Sequence, residues 1–201
     1  MACCDGRWLV VTESPWLVVG LGNPGADYAA TRHNIGFLAL EVLAQRVRSK
    51  LALHKRSRAL VAEGHLSGHR VVLAEPQSYM NESGGPVAGL LSFYKIEPDH
   101  LIVLHDELDI AFGTLRCKLG GGDNGHNGLK SIRRSTGTGD FYRIRLGIGR
   151  PPGRQDPADF VLKPFGATER TEVPLLAETG ADAVESILAD GLDMTQTKFN
   201  S

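Results

Sequence analysis

Two residues far apart in the chain, His33 and Asp106, have the chemistry of a general base and of the carboxylate that orients it. His33 lies in a loop just before a helical pattern, and Asp106 comes two residues after the apolar run Leu101–Leu104. The ordinary pKa of histidine, about 6.5, suits an imidazole that takes a proton from water. A single histidine is more often structural, so the prediction depends on Asp106 meeting the ring, fixing its tautomer and stabilising the imidazolium.

Three asparagines occupy loops at comparable places in the chain. Asn23 follows the apolar run Trp16–Gly20, Asn81 follows the segment PQSYM, and Asn127 opens a short helical pattern. A neutral amide can donate to an ester carbonyl and its developing oxyanion, and it can accept from a peptide N–H. Asparagine is also common in turns and at helix N-caps, which is the structural alternative for each of the three.

The glycines of the segment GLGNPG match the spacing of a dinucleotide-binding loop, but their context does not. In that fold the glycines open a helix directly, and an acidic residue about 20 positions later binds the ribose. Here Pro24 and Gly25 follow, the helical pattern starts about ten residues later, and Glu41 falls in the middle of that helix. We therefore expect a tight loop that projects Asn23 from the end of a strand.

A metal centre is the main chemical alternative. The sequence contains neither H-E-x-x-H nor paired C-x-x-C, and it has no G-x-S-x-G nucleophile motif. The adjacent strand residues His105 and Asp106 should point to opposite faces, which opposes binding of one ion by both. We predict no metal and no cofactor, although possible ligands exist at His33, His105, Asp106, Asp109 and His126.

Charge is distributed unevenly in a chain whose net charge is only −1. The segment 116–154 holds nine Lys or Arg against two Asp, for +7, and the remainder carries −8. This asymmetry suggests a polyanionic partner, with a solvated surface as the alternative. Lys118 lies beside three glycines, and Arg143 and Arg145 share one face of a predicted strand, so together they could clamp a phosphate.

The pattern of elements predicts one three-layer α/β/α domain with a mixed, twisted central sheet over residues 15–190, between tails at 1–14 and 191–201. No apolar run in the sequence is long enough to span a membrane. The three cysteines do not form a disulfide framework, and this favours a cytoplasmic setting. We read 150–166, with four prolines, as a loop or lid. Strands are expected at 16–20, 59–63, 70–74, 101–104, 115–119 and 142–148, and helices at 34–48, 86–94, 127–135 and 168–188, the last N-capped by Thr168.

Four segments resemble the bacterial peptidyl-tRNA hydrolase family: VVGLGNPGADYAATRHNIGF, PQSYMNESG, HDELDIAFGTLRCKLGGGDNGHNGLKS and FYRIRLGIGRPPG. They occur in order, and the resemblance runs from about Trp16 to about Leu188. It implies a monomeric, cofactor-free esterase of the cytoplasm. Its substrate would be peptidyl-tRNA, cut at the ester between the peptide and the 3′-terminal ribose.

The resemblance also implies a role for each matching residue. His33 would be the base, Asp106 its partner, and Asn23 the leading oxyanion donor. Lys118 and Arg145 would clamp the tRNA 5′-phosphate, whereas Asp123 in the glycine loop departs from the family pattern and adds negative charge beside that clamp. The remaining substrate-binding positions would be Tyr28 at the 3′-terminal nucleotide, Asn81 and Asn127 on the peptide, and Tyr79 and His126 beside them.

Two other functions remain open from the sequence. One is an RNA-binding module on the same scaffold that binds tRNA without cleaving the ester. The other is a metal-dependent hydrolase, which a chelator would inhibit. Release of the acyl group in the presence of a chelator separates both from the base-catalysed reaction.

Overall fold

The computed structural model describes residues 14–151 and 153–200, and they contain a mixed sheet of seven strands. The strand order is β2-β3-β4-β1-β5-β7-β6. The four central strands β4, β1, β5 and β7 are parallel, and the outer strands pair antiparallel to their neighbours. The strands are β1 Trp16–Gly20, β2 Ala52–Leu53, β3 Ala59–Leu66, β4 His69–Pro76, β5 Leu101–Glu107, β6 Leu115–Leu119 and β7 Tyr142–Gly147.

Helices cover both faces of this sheet, which confirms the predicted three-layer α/β/α fold. Side chains alternate along β1: Val18 packs into the core beneath α1 and α6, whereas Leu17 and Val19 pack into the core beneath α2 and α3. None of the helices described is long and apolar enough to cross a membrane. The helices are α1 Ile35–Arg46, α2 Gly84–Tyr94, α3 Asn127–Thr136, α4 Pro157–Val161, α5 Ala167–Arg170 and α6 Val173–Phe199.

A close contact between α1 and the sheet sets the position of the loop that carries His33. A Cβ atom on Gly20 would lie 2.4 Å from the carbonyl oxygen of Gly36, and one on Gly36 would lie 2.5 Å from that of Leu104. Both positions therefore require glycine. The start of α1 consequently lies directly on the carboxyl ends of β1 and β5.

The carboxyl-terminal elements differ from the sequence prediction. Thr168 is not an N-cap: it lies inside α5, whose N-cap is Gly166, and α6 is a separate helix that begins at Val173. The expected tail 191–201 is also wrong for its described part, because the helix continues past a kink at Gly191 to Phe199. Tertiary contacts hold this extension in place, as the next residue, Asn200, hydrogen-bonds to both backbone groups of Cys117 in β6.

Two smaller differences concern the functional segments. Strand β5 extends to Glu107, so Asp106 is the second-to-last residue of this strand and does not lie in the loop after it. The predicted lid 150–166 contains the short helix α4, N-capped by the Asp156 side chain. The prediction of an amino-terminal tail falls on residues 1–14, of which 1–13 lie outside the described part of the chain.

Candidate active site

His33 and Asp106 meet at the carboxyl edge of the sheet, as the sequence predicts. His33 belongs to a single 3-10 turn just before α1, and its Nδ1 lies 2.7 Å from Oδ1 of Asp106. Both residues are buried. Because an ionised carboxylate only accepts hydrogen bonds, Nδ1 of His33 carries the proton and donates it. Within the described residues Nε2 of His33 has no hydrogen-bond partner, so its lone pair is available for a substrate or a water.

A second imidazole, from His126, donates to the same carboxylate oxygen. Its Nε2 lies 3.0 Å from Oδ1 of Asp106. Its Nδ1 accepts from the backbone N–H groups of Gly128 and Leu129 and so caps α3. Capping uses the lone pair on Nδ1, which assigns the proton of this neutral ring to Nε2. His126 therefore holds both the start of α3 and the carboxylate that orients His33.

Burial and charge act in opposition on these groups. Burial alone would raise the pKa of Asp106, but the two imidazoles and their hydrogen bonds hold it well below its usual value. Burial alone would lower the pKa of His33, but the charge and hydrogen bond of Asp106 raise it above its usual value. Asp106 is therefore ionised across the neutral range, and it stabilises a proton on His33.

Asn23 is fixed by hydrogen bonds that leave one donor free. Its Oδ1 accepts the backbone N–H of Met80 at 2.8 Å. Its own backbone N–H donates to Oδ1 of Asn34, and its carbonyl accepts from Nδ2 of Asn34, both at 2.9 Å. Because Oδ1 of Asn23 is committed to Met80, the group that Asn23 offers to the cleft is its Nδ2 amide. The sequence analysis did not identify Asn34 and Met80 as residues that position Asn23. The only sequence feature that pointed to Asn34 was its place directly after His33.

These residues surround a cleft of about 570 Å³. The rings of Tyr28 and Tyr79 meet edge to face on one wall, with centroids 6.4 Å apart. Sequence reasoning missed Met80, Glu107, Leu108 and Asn124 on the wall, as well as side chains from α4 and the residues flanking it. Eight of the predicted site residues line the cleft: Asn23, Tyr28, His33, Tyr79, Asn81, Asp106, His126 and Asn127.

Arg32 attaches the predicted lid to the loop of His33. Its guanidinium donates to the carbonyls of Pro164 at 2.8 Å and Lys163 at 3.3 Å, and it pairs with Glu169 at 2.5 Å. It also lies over the ring of Phe160, 4.1 Å from the centroid. These contacts place α4 along the cleft and next to the loop that carries His33.

Lys118 and Arg145 lie outside the cleft, on neighbouring strands β6 and β7. Burial and the nearby charges of Arg145 and Arg143 lower the pKa of Lys118, so cationic groups are concentrated here. Glu107 accepts from Nε of Arg145 at 2.9 Å and from the Asn124 amide at 3.3 Å. This carboxylate therefore links the strand of Arg145 to the loop that carries His126 and Asn127.

Arg143, considered for the same clamp, has a different position. Its side chain is fully buried and donates to the carbonyls of Gly121 and Gly122 in the glycine loop and of Gly139 in the turn between α3 and β7. It holds the loop in shape and does not reach a surface ligand. Asp123, the departure in that loop, is paired with Arg133 at 2.9 Å, which offsets its charge.

The ligand atoms of His33, Asp106 and His126 lie within 4.8 Å of one another, so a metal site must be tested against their chemistry. A metal ligand needs a lone pair, yet the nitrogens that face Asp106 both carry protons, and the second nitrogen of His126 caps α3. Binding an ion here would break the hydrogen bonds that position the cluster. His105, another candidate ligand, is buried behind His126 and donates to the Asp106 carbonyl.

The chain matches the family model described as peptidyl-tRNA hydrolase over residues 17–201. It is 60% identical over 189 residues to the peptidyl-tRNA hydrolase of Frankia casuarinae, covering 94% of this chain and 95% of that protein. It is 56% identical to that of Nocardia farcinica, covering 94% and 98%. The crystal structure of peptidyl-tRNA hydrolase from Acinetobacter baumannii superposes with a TM-score of 0.87 at 34% identity, covering 94% of this chain and 96% of that one.

Proposed function

This chain belongs to the peptidyl-tRNA hydrolase family and cleaves peptidyl-tRNA, and from that premise we propose that it uses His33 as the general base. The observation that carries the proposal is the orientation of the ring. Nδ1 donates to Asp106 at 2.7 Å, while Nε2 has no partner among the described residues and its ring lines the cleft. A water between Nε2 and the ester carbonyl would meet a base whose conjugate acid is stabilised by Asp106.

In this mechanism water supplies the nucleophile. Nε2 of His33 takes a proton as the water oxygen forms a bond to the ester carbonyl carbon. The tetrahedral intermediate then collapses, the bond to the ribose oxygen breaks, and the proton on Nε2 passes to that oxygen. A positioned base of this kind contributes about 10²- to 10⁴-fold to the rate.

Asn23 would stabilise the negative charge that develops on the carbonyl oxygen. Its Oδ1 is held by Met80, so the Nδ2 amide is fixed before the substrate arrives and needs no reorganisation. A single preorganised donor to an oxyanion is worth about 10²- to 10³-fold in kcat.

Asn81 and Asn127, which both line the cleft, would bind the peptide main chain. Amide groups that pair with the acylated nitrogen favour peptidyl-tRNA over free aminoacyl-tRNA, whose ammonium group would be desolvated without a partner. Main-chain contacts of this kind also tolerate varied peptide side chains. Tyr28 and Tyr79 supply ring faces for the 3′-terminal nucleotide.

Lys118 and Arg145 would bind the 5′-phosphate of the tRNA, outside the cleft that holds the ester. Their proximity across β6 and β7 supports this role, because two cations beside one phosphate form charge-assisted hydrogen bonds. We also propose that the enzyme acts as a monomer in the cytoplasm and needs no metal.

The test is release of the acyl group from N-acetylated and free aminoacyl-tRNA by the purified protein, with and without EDTA. The proposal predicts rapid cleavage of the N-acetylated substrate, slow cleavage of the free one, and no effect of EDTA. Loss of activity in EDTA that returns with a divalent cation would favour a metal hydrolase. Binding of tRNA with no cleavage would favour the binding module.

A further inference from the structure

A second cationic surface lies in the part of the chain whose overall charge is negative. No Asp or Glu occurs between Val42 and Ala62, and this stretch contains six Lys or Arg. Arg46 is engaged by three carboxylates of α6. The others are exposed, and no carboxylate of the described residues lies within 4.0 Å of Arg48, Lys50, Lys55 or Arg56.

Aromatic side chains lie beside these cations. Phe93 at the end of α2 is 46% exposed, and the ring of His54 packs edge to face against it, with centroids 4.6 Å apart. The guanidinium of Arg56 lies over Phe93, 5.7 Å from its centroid. We call this the basic groove, a depression of about 590 Å³ that includes His54, Lys55, Arg56, Phe93 and Tyr94. It also includes the carboxylate of Glu63, which is bonded to Arg70 and to the Tyr94 hydroxyl.

The basic groove is separate from the cleft and from the proposed phosphate clamp. It lies at the β2–β3 edge, and Lys118 lies on β6 at the opposite edge. Six strand spacings of about 4.8 Å put the two edges roughly 29 Å apart. The segment of Lys55 and Arg56 continues to Arg58, whose carbonyl accepts the N–H of Gln77, two residues before Tyr79 of the cleft.

Surface cations without ion-pair partners are often only solvated. The exposed ring of Phe93 among these cations, however, restricts the kind of ligand that the groove would bind. Proteins that bind single-stranded nucleic acid combine a positive groove for the phosphates with aromatic faces on which bases stack. An acidic peptide would use the cations and leave Phe93 unexplained. We propose that the basic groove binds an unpaired RNA segment, with Lys55 and Arg56 on phosphates and Phe93 stacked on a base. This inference does not depend on His33 or on ester cleavage.

The binding test uses a fluorescein-labelled 12-nucleotide single-stranded RNA with a 5′-hydroxyl, titrated by anisotropy at several salt concentrations. The variant is Lys55→Gln with Arg56→Gln, and the control is Arg170→Gln with Lys198→Gln, which removes the same charge from α5 and α6. The groove variant should bind about tenfold more weakly at low salt, and the slope of log K against log salt should fall by about 1.4, or 0.7 per phosphate contact. Phe93→Ala should weaken binding about fivefold, and Phe93→Tyr should restore it.

A second arm identifies the source of the RNA. If the groove binds the substrate tRNA, the groove variant raises KM for peptidyl-tRNA with kcat unchanged. If it binds a separate RNA, only the 12-nucleotide probe responds, and both results support the proposal. Equal losses in the groove variant and the control would overturn it, as would weaker binding to anionic phospholipid vesicles with no change toward RNA.

Discussion

Asn34 and Asn23 are joined by two hydrogen bonds, one in each direction, across 11 residues of loop. The Asn34 amide satisfies both backbone groups of Asn23, and Asn34 is the residue after His33. One buried side chain therefore positions the proposed oxyanion donor and closes the loop that ends in the proposed base. Any change at Asn34 should act on both.

Replacing Asn34 with alanine should reduce both stability and activity. Two buried backbone groups of Asn23 would lose their partners, at a cost of about 1–3 kcal/mol each. We expect the free energy of unfolding in urea to fall by about 2–6 kcal/mol and kcat to fall at least tenfold. A variant with wild-type stability would show that these two hydrogen bonds do not hold the loop.

The substitution Asn23→Asp distinguishes the role of the Oδ1 acceptor of Asn23 from that of its Nδ2 donor. The aspartate keeps an oxygen to accept from Met80 and replaces the Nδ2 donor with a second oxygen. We expect kcat to fall about 10²- to 10³-fold. The buried carboxylate should also lower the free energy of unfolding, and this loss should be smaller at low pH, where the carboxyl group is protonated. Asn23→Ala is the matched control, which should lose both activity and stability. An active Asn23→Asp enzyme would exclude Asn23 as the oxyanion donor.

The pH dependence of the reaction should follow from the raised pKa of His33. His33 is a base only when neutral, so kcat/KM should fall as the pH drops through a value above 6.5. Asp106→Asn removes the carboxylate that raises this pKa and leaves the burial that lowers it. The acid limb of the profile should therefore move to lower pH, and kcat should fall at least tenfold. An unchanged limb would contradict the pairing.

Lys118→Gln should act on tRNA binding and not on chemistry. We expect KM to rise several-fold, kcat to stay constant, and the salt dependence of KM to flatten. The effect should disappear with a substrate whose tRNA has a 5′-hydroxyl, which is the internal control. A fall in kcat alone would remove Lys118 from the phosphate clamp.

Glu75 should make the folded protein less stable as the pH rises from about 4.5 to about 8. Burial, with a smaller effect of the Glu41 charge, raises its pKa from 4.5 to about 8. Between these values the unfolded chain is ionised at this position and the folded chain is protonated, so stability falls as pH rises, by at most about 1.4 kcal/mol per pH unit. Glu75→Gln should remove this component, measured as the difference in unfolding free energy between the two proteins at pH 5 and pH 8.

Much of the site was accessible from the sequence because parallel strands place their carboxyl ends together. The apolar runs of β1 and β5 are adjacent in the sheet, which brings the loop of His33 to Asp106. Relations set by tertiary contacts were not accessible. Three such relations leave no periodic pattern in the sequence. They are the buried carbonyls that accept from Arg143, the two hydrogen-bonding roles of the His126 ring, and the packing that extends α6 beyond Gly191.

The most direct test of the mechanism is the single-turnover rate constant of His33→Ala on N-acetylated aminoacyl-tRNA, in EDTA, with the enzyme in excess. We predict a loss of at least 10²-fold, with the circular dichroism spectrum and tRNA affinity of the parent protein retained. A rate constant within a few-fold of the parent would contradict base catalysis by His33.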